Sequence, residues 1–130
     1  MHRLAQPYAP GQHDKRPWGE WTVIDVGTGY VVKRIVVGPG QRLSLQRHRH
    51  RDEHWVVVAG TAQVTRGDAI FELGVGGTTD IARGETHRVA NPGMEDIVFI
   101  EVQLGAILSE DDIERLEDAY GRVTPSQASG

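Results

Sequence analysis

The sequence lacks several features that would point to particular classes of protein. It contains no cysteine, so neither a disulfide framework nor a thiolate metal site can form. No apolar run approaches the roughly 20 residues that span a bilayer, and no apolar signal-peptide core follows the first residues. We therefore expect a cytoplasmic protein without membrane contact. No glycine-rich phosphate loop opens a helix, so a nucleotidyltransferase domain is not indicated.

Charge is unevenly distributed along the chain, although the net charge is only −4. Six of the 18 acidic residues lie between positions 110 and 118, and without that segment and its Arg115 the chain has 12 acidic and 13 basic residues. Arginine is locally enriched between positions 42 and 51. An acidic domain without a basic stripe does not favour nucleic-acid binding. The local arginines instead favour an anionic small-molecule ligand.

Short runs rich in valine and isoleucine recur along the chain and are separated by glycine-containing turns. Many short strands joined by tight turns are typical of an antiparallel β-sandwich or β-barrel. The length suits one domain, and we place the barrel at residues 18–108. The predicted strands are Trp21–Val26, Tyr30–Val37, Arg42–His48, Trp55–Ala59, Thr61–Thr65, Ala69–Leu73, Thr78–Ile81, His87–Ala90 and Ile97–Leu104.

The two ends of the chain differ from this pattern. Residues 1–17 lack periodicity and are predicted to form a partly disordered N-terminal arm, and residues 122–130 a disordered tail. Between barrel and tail, Ser109 is a good N-cap and acidic residues follow it, where the helix dipole favours them. A short C-terminal helix is therefore predicted over residues 109–121. Its apolar stripe, at helical spacing, would be Ile113, Leu116 and Tyr120.

Metal-binding types of side chain are concentrated in two short segments, QRHRHRDEH (46–54) and ARGETHRVAN (82–91). Four of the six histidines lie in these segments. Imidazole, carboxylate and amide groups at short spacing suit a divalent metal ion of borderline hardness. The sequence therefore predicts a metal site. The candidate ligands are Gln46, His48, His50, Glu53, His54 and His87.

The alternation of side chains along a strand predicts which groups face the interior. In residues 42–50, one face is polar and carries Arg42, Ser44, Gln46, His48 and His50. The opposite face carries Leu43, Leu45, Arg47 and Arg49. A polar inward face indicates a barrel with a functional interior. The leucines then need cover from the N-terminal arm or from a second subunit, and we expect a homodimer.

Two groups of residues resemble the sequence motifs of the cupin superfamily. The first motif, G-x5-H-x-H-x3–4-E-x6-G, is matched by Gly40, Gln46, His48, Glu53 and Gly60. The second, G-x5-P-x-G-x2-H-x3-N, is matched by Gly76, Ala82, Gly84, His87 and Asn91, with alanine in place of proline. The resemblance implies one divalent metal ion (Zn, Mn, Fe, Co or Ni). The implied ligands are Gln46, His48, Glu53 and His87, with His50 as the alternative to Gln46.

A longer resemblance covers residues 16–122. The segments RPWGEW (16–21), THRVANPG (86–93), 32–65 and 101–122 are similar to type II mannose-6-phosphate isomerase. That domain often forms the C-terminal half of bifunctional mannose-1-phosphate guanylyltransferases. The resemblance implies an all-β cupin fold, a jelly-roll barrel, and a metal-dependent aldose–ketose isomerisation. The substrate pair would be mannose 6-phosphate and fructose 6-phosphate, interconverted through an enediol(ate).

This chemistry needs a group that moves a carbon-bound proton and cations that hold a phosphate. His50 is the first candidate for proton transfer because it shares the predicted inward face with His48 and is surplus to the ligand set. Lys33 is a further catalytic candidate, and Arg42 is expected at the catalytic site because it is predicted to face inward. The expected phosphate-binding residues are Arg42, Arg51 and Arg88.

A second class of function is open at this stage, because cupins host many activities. The alternative is a non-catalytic or differently catalytic metal-binding cupin, either a small-molecule sensor or a dioxygenase. The arginine surplus near the predicted ligands favours a phosphorylated or acidic ligand over an apolar dioxygenase substrate.

Overall fold

The computed structural model describes residues 8–117, except for the side chain of Glu110, and its regular structure is almost entirely β-strand. The strands, in chain order, are β1 (His13–Arg16), β2 (Gly19–Gly27), β3 (Tyr30–Val37), β4 (Leu45–His48), β5 (Asp52–Ala59), β6 (Ala62–Arg66), β7 (Ala69–Leu73), β8 (Thr78–Ile81), β9 (His87–Ala90), β10 (Ile97–Leu104) and β11 (Ile113–Glu117). Each of the nine predicted strands is present, with ends shifted by a few residues. The predicted all-β fold is confirmed.

The strands form two antiparallel sheets that face each other. The six-stranded sheet has the order β1-β2-β3-β10-β5-β8, and the five-stranded sheet has the order β11-β4-β9-β6-β7. β1 and β11 therefore each lie at an edge of a sheet. Because the chain crosses between the sheets from β3 to β6 and again from β7 to β11, side chains from distant parts of the sequence meet in the space between them.

Apolar side chains fill most of that space, and charged side chains interrupt them at one end. In β3 the buried row is Val31, Lys33, Ile35 and Val37, and in β10 it is Ile97, Phe99, Glu101 and Gln103. Burying a charged side chain is costly unless it is paired. The buried charged side chains therefore indicate a part of the interior that has a role other than packing.

The described part of the predicted N-terminal arm joins the six-stranded sheet. β1 pairs with β2 in a hairpin that matches Arg16 with Gly19, and Tyr8 is buried against Trp21 with their rings edge to face. Residues 1–7 lie outside the described residues, as does the predicted tail at 122–130.

The prediction of a helix over residues 109–121 is wrong for the part that the structure describes. A 3-10 turn at Glu110–Asp112 leads into β11, which pairs antiparallel with β4. The helical spacing of Ile113 and Leu116 is a weak preference, and tertiary pairing overrides it. β11 covers the edge of β4, whose backbone groups would otherwise lack partners, and Glu114 forms an ion pair with Arg47 of β4. Residues 118–121 lie outside the described residues. Between residues 8 and 117, no helix is long and apolar enough to cross a membrane.

Candidate metal centre

Three buried side chains bring nitrogen and oxygen atoms together between the two sheets. His48, Glu53 and His87 each offer a ligand atom, and these atoms lie within 4.8 Å of one another. The Nε2 atoms of His48 and His87 are 3.1 Å apart, and His48 Nε2 is 3.0 Å from Glu53 Oε2. Two imidazoles and one carboxylate form a donor set that suits zinc and other divalent transition metals.

Both sheets contribute to this centre. His48 is the last residue of β4 and His87 the first of β9, neighbouring strands of the five-stranded sheet. Glu53 lies on β5 of the six-stranded sheet and faces the interior together with Trp55, as the strand alternation predicts. The Trp55 indole nitrogen donates a hydrogen bond to Glu53 Oε1 at 2.9 Å. The carboxylate is therefore held in place from its own strand.

The hydrogen bond made by His87 orients its ring toward the centre. His87 Nδ1 lies 3.0 Å from the carbonyl oxygen of Glu85. That contact places the ring proton on Nδ1 and leaves the lone pair of Nε2 facing the cluster, the orientation that metal-binding histidines adopt. His48 Nδ1 is buried and makes no hydrogen bond within the described residues. The arrangement fits a bound divalent metal ion.

The charges of the cluster also suit metal binding. Burial acts to raise the pKa of Glu53, but His48, Arg51 and His87 outweigh it and hold that pKa well below its usual value. Burial lowers the pKa of His87 to about 4, and the carboxylate of Glu53 offsets this only in part. At neutral pH the pair is therefore a carboxylate and a neutral imidazole, which are the forms that bind a metal.

Arg51, one of the arginines expected to bind phosphate, lies directly against this cluster. It is 3% exposed, and its Nε donates to Glu53 Oε2 at 2.8 Å. One terminal nitrogen donates to the Ser109 carbonyl at 3.2 Å, and the other lies 3.3 Å from His48 Nε2. Arg51 thus balances the charge of the buried carboxylate.

Gln46 lies on the same inward side as the histidines. It is buried, and it stands directly across from His87 in the pairing of β4 with β9. Its amide nitrogen donates to Ser44 Oγ at 2.9 Å. As a metal ligand, Gln46 stays a prediction.

The predicted inward orientation of His50 and Arg42 is wrong, because both side chains are exposed. β4 ends at His48 and the backbone then bends, so the strand alternation does not extend to His50. The backbone N–H of His50 donates to the carboxylate of Asp112 at 2.9 Å. Arg42 precedes β4 and forms an isolated bridge with Ala90.

Arg88 also lies away from the cluster. It follows His87 on β9, so its side chain points to the opposite face of the sheet. There its Nε donates to the Leu43 carbonyl at 3.0 Å, and a terminal nitrogen pairs with Glu117 at 2.9 Å. The structure therefore uses Arg88 to attach β11 to the sheet. His54, a further histidine of the cluster segment, is 45% exposed and pairs with Asp80 at 2.5 Å.

A cavity adjoins the cluster on the side of Gln46 and Arg51. Its charged lining residues are Arg16, Lys33, Arg51, Glu101 and Arg115. Among the apolar ones are Trp18, Trp21, Ile35, Leu43 and Ile113. Lys33, a catalytic candidate from the sequence, is buried here, and its Nζ donates to the Tyr8 hydroxyl at 2.9 Å. That nitrogen also lies 4.2 Å from the centre of the Trp21 ring.

Glu101 is a cavity residue that the sequence reasoning missed. It faces Lys33 across the pairing of β10 with β3, and it accepts a hydrogen bond from Gln103 Nε2 at 2.7 Å. Burial, followed by the charge of Glu53, raises the pKa of Glu101 to about 8, and Lys33 offsets this only in part. The signal was present in the strand IVFIEVQL, where an acid and an amide occupy the inward row of an otherwise apolar run.

Arg16 and Arg115 were missed as site residues for a different reason. Both lie in segments predicted to be outside the barrel, namely the N-terminal arm and the C-terminal helix. Only the pairing of these segments as β1 and β11 brings the two side chains to the cavity.

Comparison with known proteins identifies a family for this chain. The family model described as mannose-6-phosphate isomerase C-terminal matches residues 7–118. The xanthan biosynthesis protein XanB of Xanthomonas campestris is 56% identical over 107 residues, which are 82% of this chain and 23% of that protein. The mannose-1-phosphate guanylyltransferase ManC of Salmonella typhimurium is 49% identical over 122 residues, 88% of this chain and 25% of that protein. The chain thus spans about a quarter of the length of the curated relatives that it matches.

Among solved structures, the cupin domain of Schizosaccharomyces pombe Cnp3 superposes with a TM-score of 0.64 at 14% sequence identity. The match covers 66% of this chain and 64% of that one. At this level of identity the likeness shows the fold alone, and that fold is the cupin jelly roll predicted from the sequence. Because the family model covers most of the chain and the curated relatives share about half of its residues, the chain belongs to the mannose-6-phosphate isomerase C-terminal family.

Proposed function

We propose that this chain is a metal-dependent aldose–ketose isomerase, with mannose 6-phosphate and fructose 6-phosphate as its substrate pair. The observation that carries the proposal is that the His48–Glu53–His87 cluster contacts Arg51, which lines a cavity whose charged residues are mostly cationic. A metal site beside a cation-lined cavity suits a sugar that carries a phosphate. Membership of the family supports the same reaction.

His48, Glu53 and His87 would hold the metal ion, and Gln46 is proposed as the fourth ligand. A divalent ion in this position supplies a Lewis acid that stabilises negative charge developing on the sugar oxygens as the enediol(ate) forms. The ligand set accommodates Zn, Mn, Fe, Co or Ni, so the metal has to be identified by assay. Arg51 balances the charge of Glu53 and keeps that carboxylate ionised.

Proton transfer between C1 and C2 needs a group that reaches the sugar inside the cavity. Lys33 and Glu101 both line the cavity, whereas His50 and Arg42 are exposed. We therefore assign proton transfer to the Lys33–Glu101 pair. The cationic lining also disfavours the alternative of a dioxygenase that acts on an apolar substrate.

The test is a coupled assay of fructose 6-phosphate formation from mannose 6-phosphate. The protein is first treated with a chelator, and each of the five metals is then added back separately. We expect turnover with at least one metal, and loss of that turnover in His87→Ala but not in His54→Ala, which alters an exposed histidine. No turnover with any metal would overturn the isomerase. Metal and sugar-phosphate binding without turnover would instead indicate a sensor.

We also propose that the protein is a cytoplasmic homodimer. On the outer face of β5, Val56 and Val58 are 39% and 46% exposed, and Ile100 lies beside Val56 in the pairing with β10. Exposed apolar side chains that adjoin one another favour a protein contact. Light scattering at micromolar concentration should give twice the mass of one chain, and a monomer mass would overturn the dimer.

A further inference from the structure

Two cavity arginines come from the outermost strands of the two sheets. Arg16 is the last residue of β1, at the edge of the six-stranded sheet, and Arg115 lies on β11, at the edge of the five-stranded sheet. Both line the cavity that adjoins the metal cluster. The two sheet edges therefore bring together cations from opposite ends of the described chain.

The position of Arg115 relative to the cluster is set by strand pairing. Arg115 pairs with Gln46 across β11 and β4, and Gln46 pairs with His87 across β4 and β9. Arg115 is thus two strands away from a candidate metal ligand, a separation of about 10 Å at the usual strand spacing. That separation is comparable with the span of a hexose 6-phosphate from its carbonyl end to its phosphorus.

The four cations that line the cavity differ in their distance from the metal cluster. Arg51 contacts the cluster through Glu53 and Lys33 is proposed for proton transfer, whereas Arg16 and Arg115 lie on the outermost strands. Arg16 contacts Asp14 at 3.1 Å, but the Asp14 side chain is 51% exposed. An ion pair that is open to water contributes little, so a phosphate group can displace it.

We infer that Arg16 and Arg115 form the subsite that binds the phosphate group of the substrate. The carbonyl end of the sugar would then lie toward Arg51 and the metal cluster. Arginine suits this role because its planar donors bind a phosphate through two hydrogen bonds at once. The identity of the ligand rests on the proposed function, whereas recognition of a phosphate at this position does not require turnover. The inference replaces Arg42 and Arg88 as the predicted phosphate-binding residues.

The experiment measures binding to the metal-loaded protein by calorimetry with three probes: mannose 6-phosphate, inorganic phosphate and unphosphorylated mannose. Arg16→Gln and Arg115→Gln are each expected to raise the Kd for mannose 6-phosphate about tenfold or more, because each removes a charge-assisted contact. Binding of mannose should not change. Arg34→Gln, which alters an exposed arginine of β3, is the matched control and should bind like the unsubstituted protein.

Kinetics provide a second readout where the protein turns over. Loss of a contact that is made equally in the ground state and the transition state raises KM and leaves kcat nearly unchanged. We expect that pattern for both variants. Arg115→Lys keeps the charge but loses the bidentate contact, and its KM should lie between that of Arg115→Gln and that of the unsubstituted protein.

The outcomes separate this inference from the proposed function. Binding of mannose 6-phosphate by both glutamine variants as tightly as by the unsubstituted protein would overturn the subsite, even if isomerase activity is present. Failure of the unsubstituted protein to bind either phosphate probe would also overturn it. Tight phosphate binding that is lost in both variants, without turnover, would support the subsite and overturn the isomerase. Circular dichroism checks folding, and if Arg115→Gln does not fold, Arg16→Gln and Arg115→Lys carry the test.

Discussion

The guanidinium of Arg51 donates to Glu53 across only two positions of the chain, from Nε to Oε2 at 2.8 Å, and both side chains are almost completely buried. The same carboxylate lies 3.0 Å from His48 Nε2. Glu53 thus takes part both in a structural ion pair and in a candidate metal site. The stability of the metal-free protein and its affinity for metal are therefore coupled through one residue.

Replacing Arg51 by methionine should destabilise the metal-free protein by about 3–5 kcal/mol, because it leaves the buried Glu53 carboxylate without its counter-charge. Urea unfolding of chelated protein measures this free energy. Arg34→Met, which alters an exposed side chain, is the control and should change stability by less than about 0.5 kcal/mol. The double variant Arg51→Met/Glu53→Gln should recover part of the loss. Equal stability of Arg51→Met and the control would show that the pair is not needed for folding.

Removing a candidate ligand should release the metal. His87→Ala is expected to lower metal affinity by more than the roughly 10- to 100-fold that loss of a supporting contact costs, since it deletes the donor itself. Elemental analysis after dialysis measures the retained metal. His54→Ala removes an exposed histidine from the same sequence cluster and should retain metal normally. A His87→Ala protein that holds a full equivalent of metal would contradict the assignment of this ligand.

Much of the fold could be read from the sequence because turns and strand alternation are local signals. The glycine turns separate the strands, and the alternation in 42–48 correctly placed Gln46 and His48 on the inward side. The prediction failed beyond both ends of β4, at Arg42 and at His50. A bend after His48 turns His50 to the surface, and nothing in the local pattern of alternating residues indicates where β4 stops.

The cavity was harder to predict than the strands, because it depends on pairing between segments that are distant in the sequence. Arg115 was assigned to a helix on the basis of spacing, yet it reaches the cavity only because β11 pairs with the edge of β4. Glu101 was accessible in principle, since it interrupts the inward row of β10. Its significance becomes clear only when Lys33 and Glu53 are seen beside it.

The buried Glu101 carboxyl should make the stability of the metal-free protein fall as pH rises. Its pKa in the folded protein is about 8, above the ordinary value of 4.5. The folded state therefore binds this proton more tightly than the unfolded state does. The resulting stabilisation is complete below about pH 4.5 and is lost as pH rises to about 8.

Glu101→Gln should remove this component of the pH dependence, a change of several kcal/mol between pH 5 and pH 9. Urea unfolding at a series of pH values, with chelator present, measures it. Glu72→Gln alters an exposed glutamate, and its free energy of unfolding should depend on pH as in the unsubstituted protein. If the free energy of unfolding of Glu101→Gln depends on pH as it does in the unsubstituted protein, the Glu101 carboxyl is ionised in the folded protein at neutral pH.

Alanine substitutions at Gly19 and Gly40 separate steric from conformational effects on stability. Gly19 has φ of +153°, and a Cβ added there would lie 2.0 Å from the carbonyl oxygen of Val36. Gly40 has φ of +74°, but a Cβ there would meet nothing within 4 Å. Gly40→Ala should therefore cost only about 1 kcal/mol, the penalty of a left-handed conformation.

Gly19→Ala should cost more than about 3 kcal/mol, because the backbone of β3 has to move away from β2. Thermal unfolding of the two variants, side by side at one pH and metal content, gives the comparison. Movement of β2 against β3 would also displace Trp18 and Lys33, so Gly19→Ala should bind mannose 6-phosphate more weakly even when it is folded. Equal melting temperatures for the two variants would show that the close approach of Gly19 to Val36 is not required by the fold.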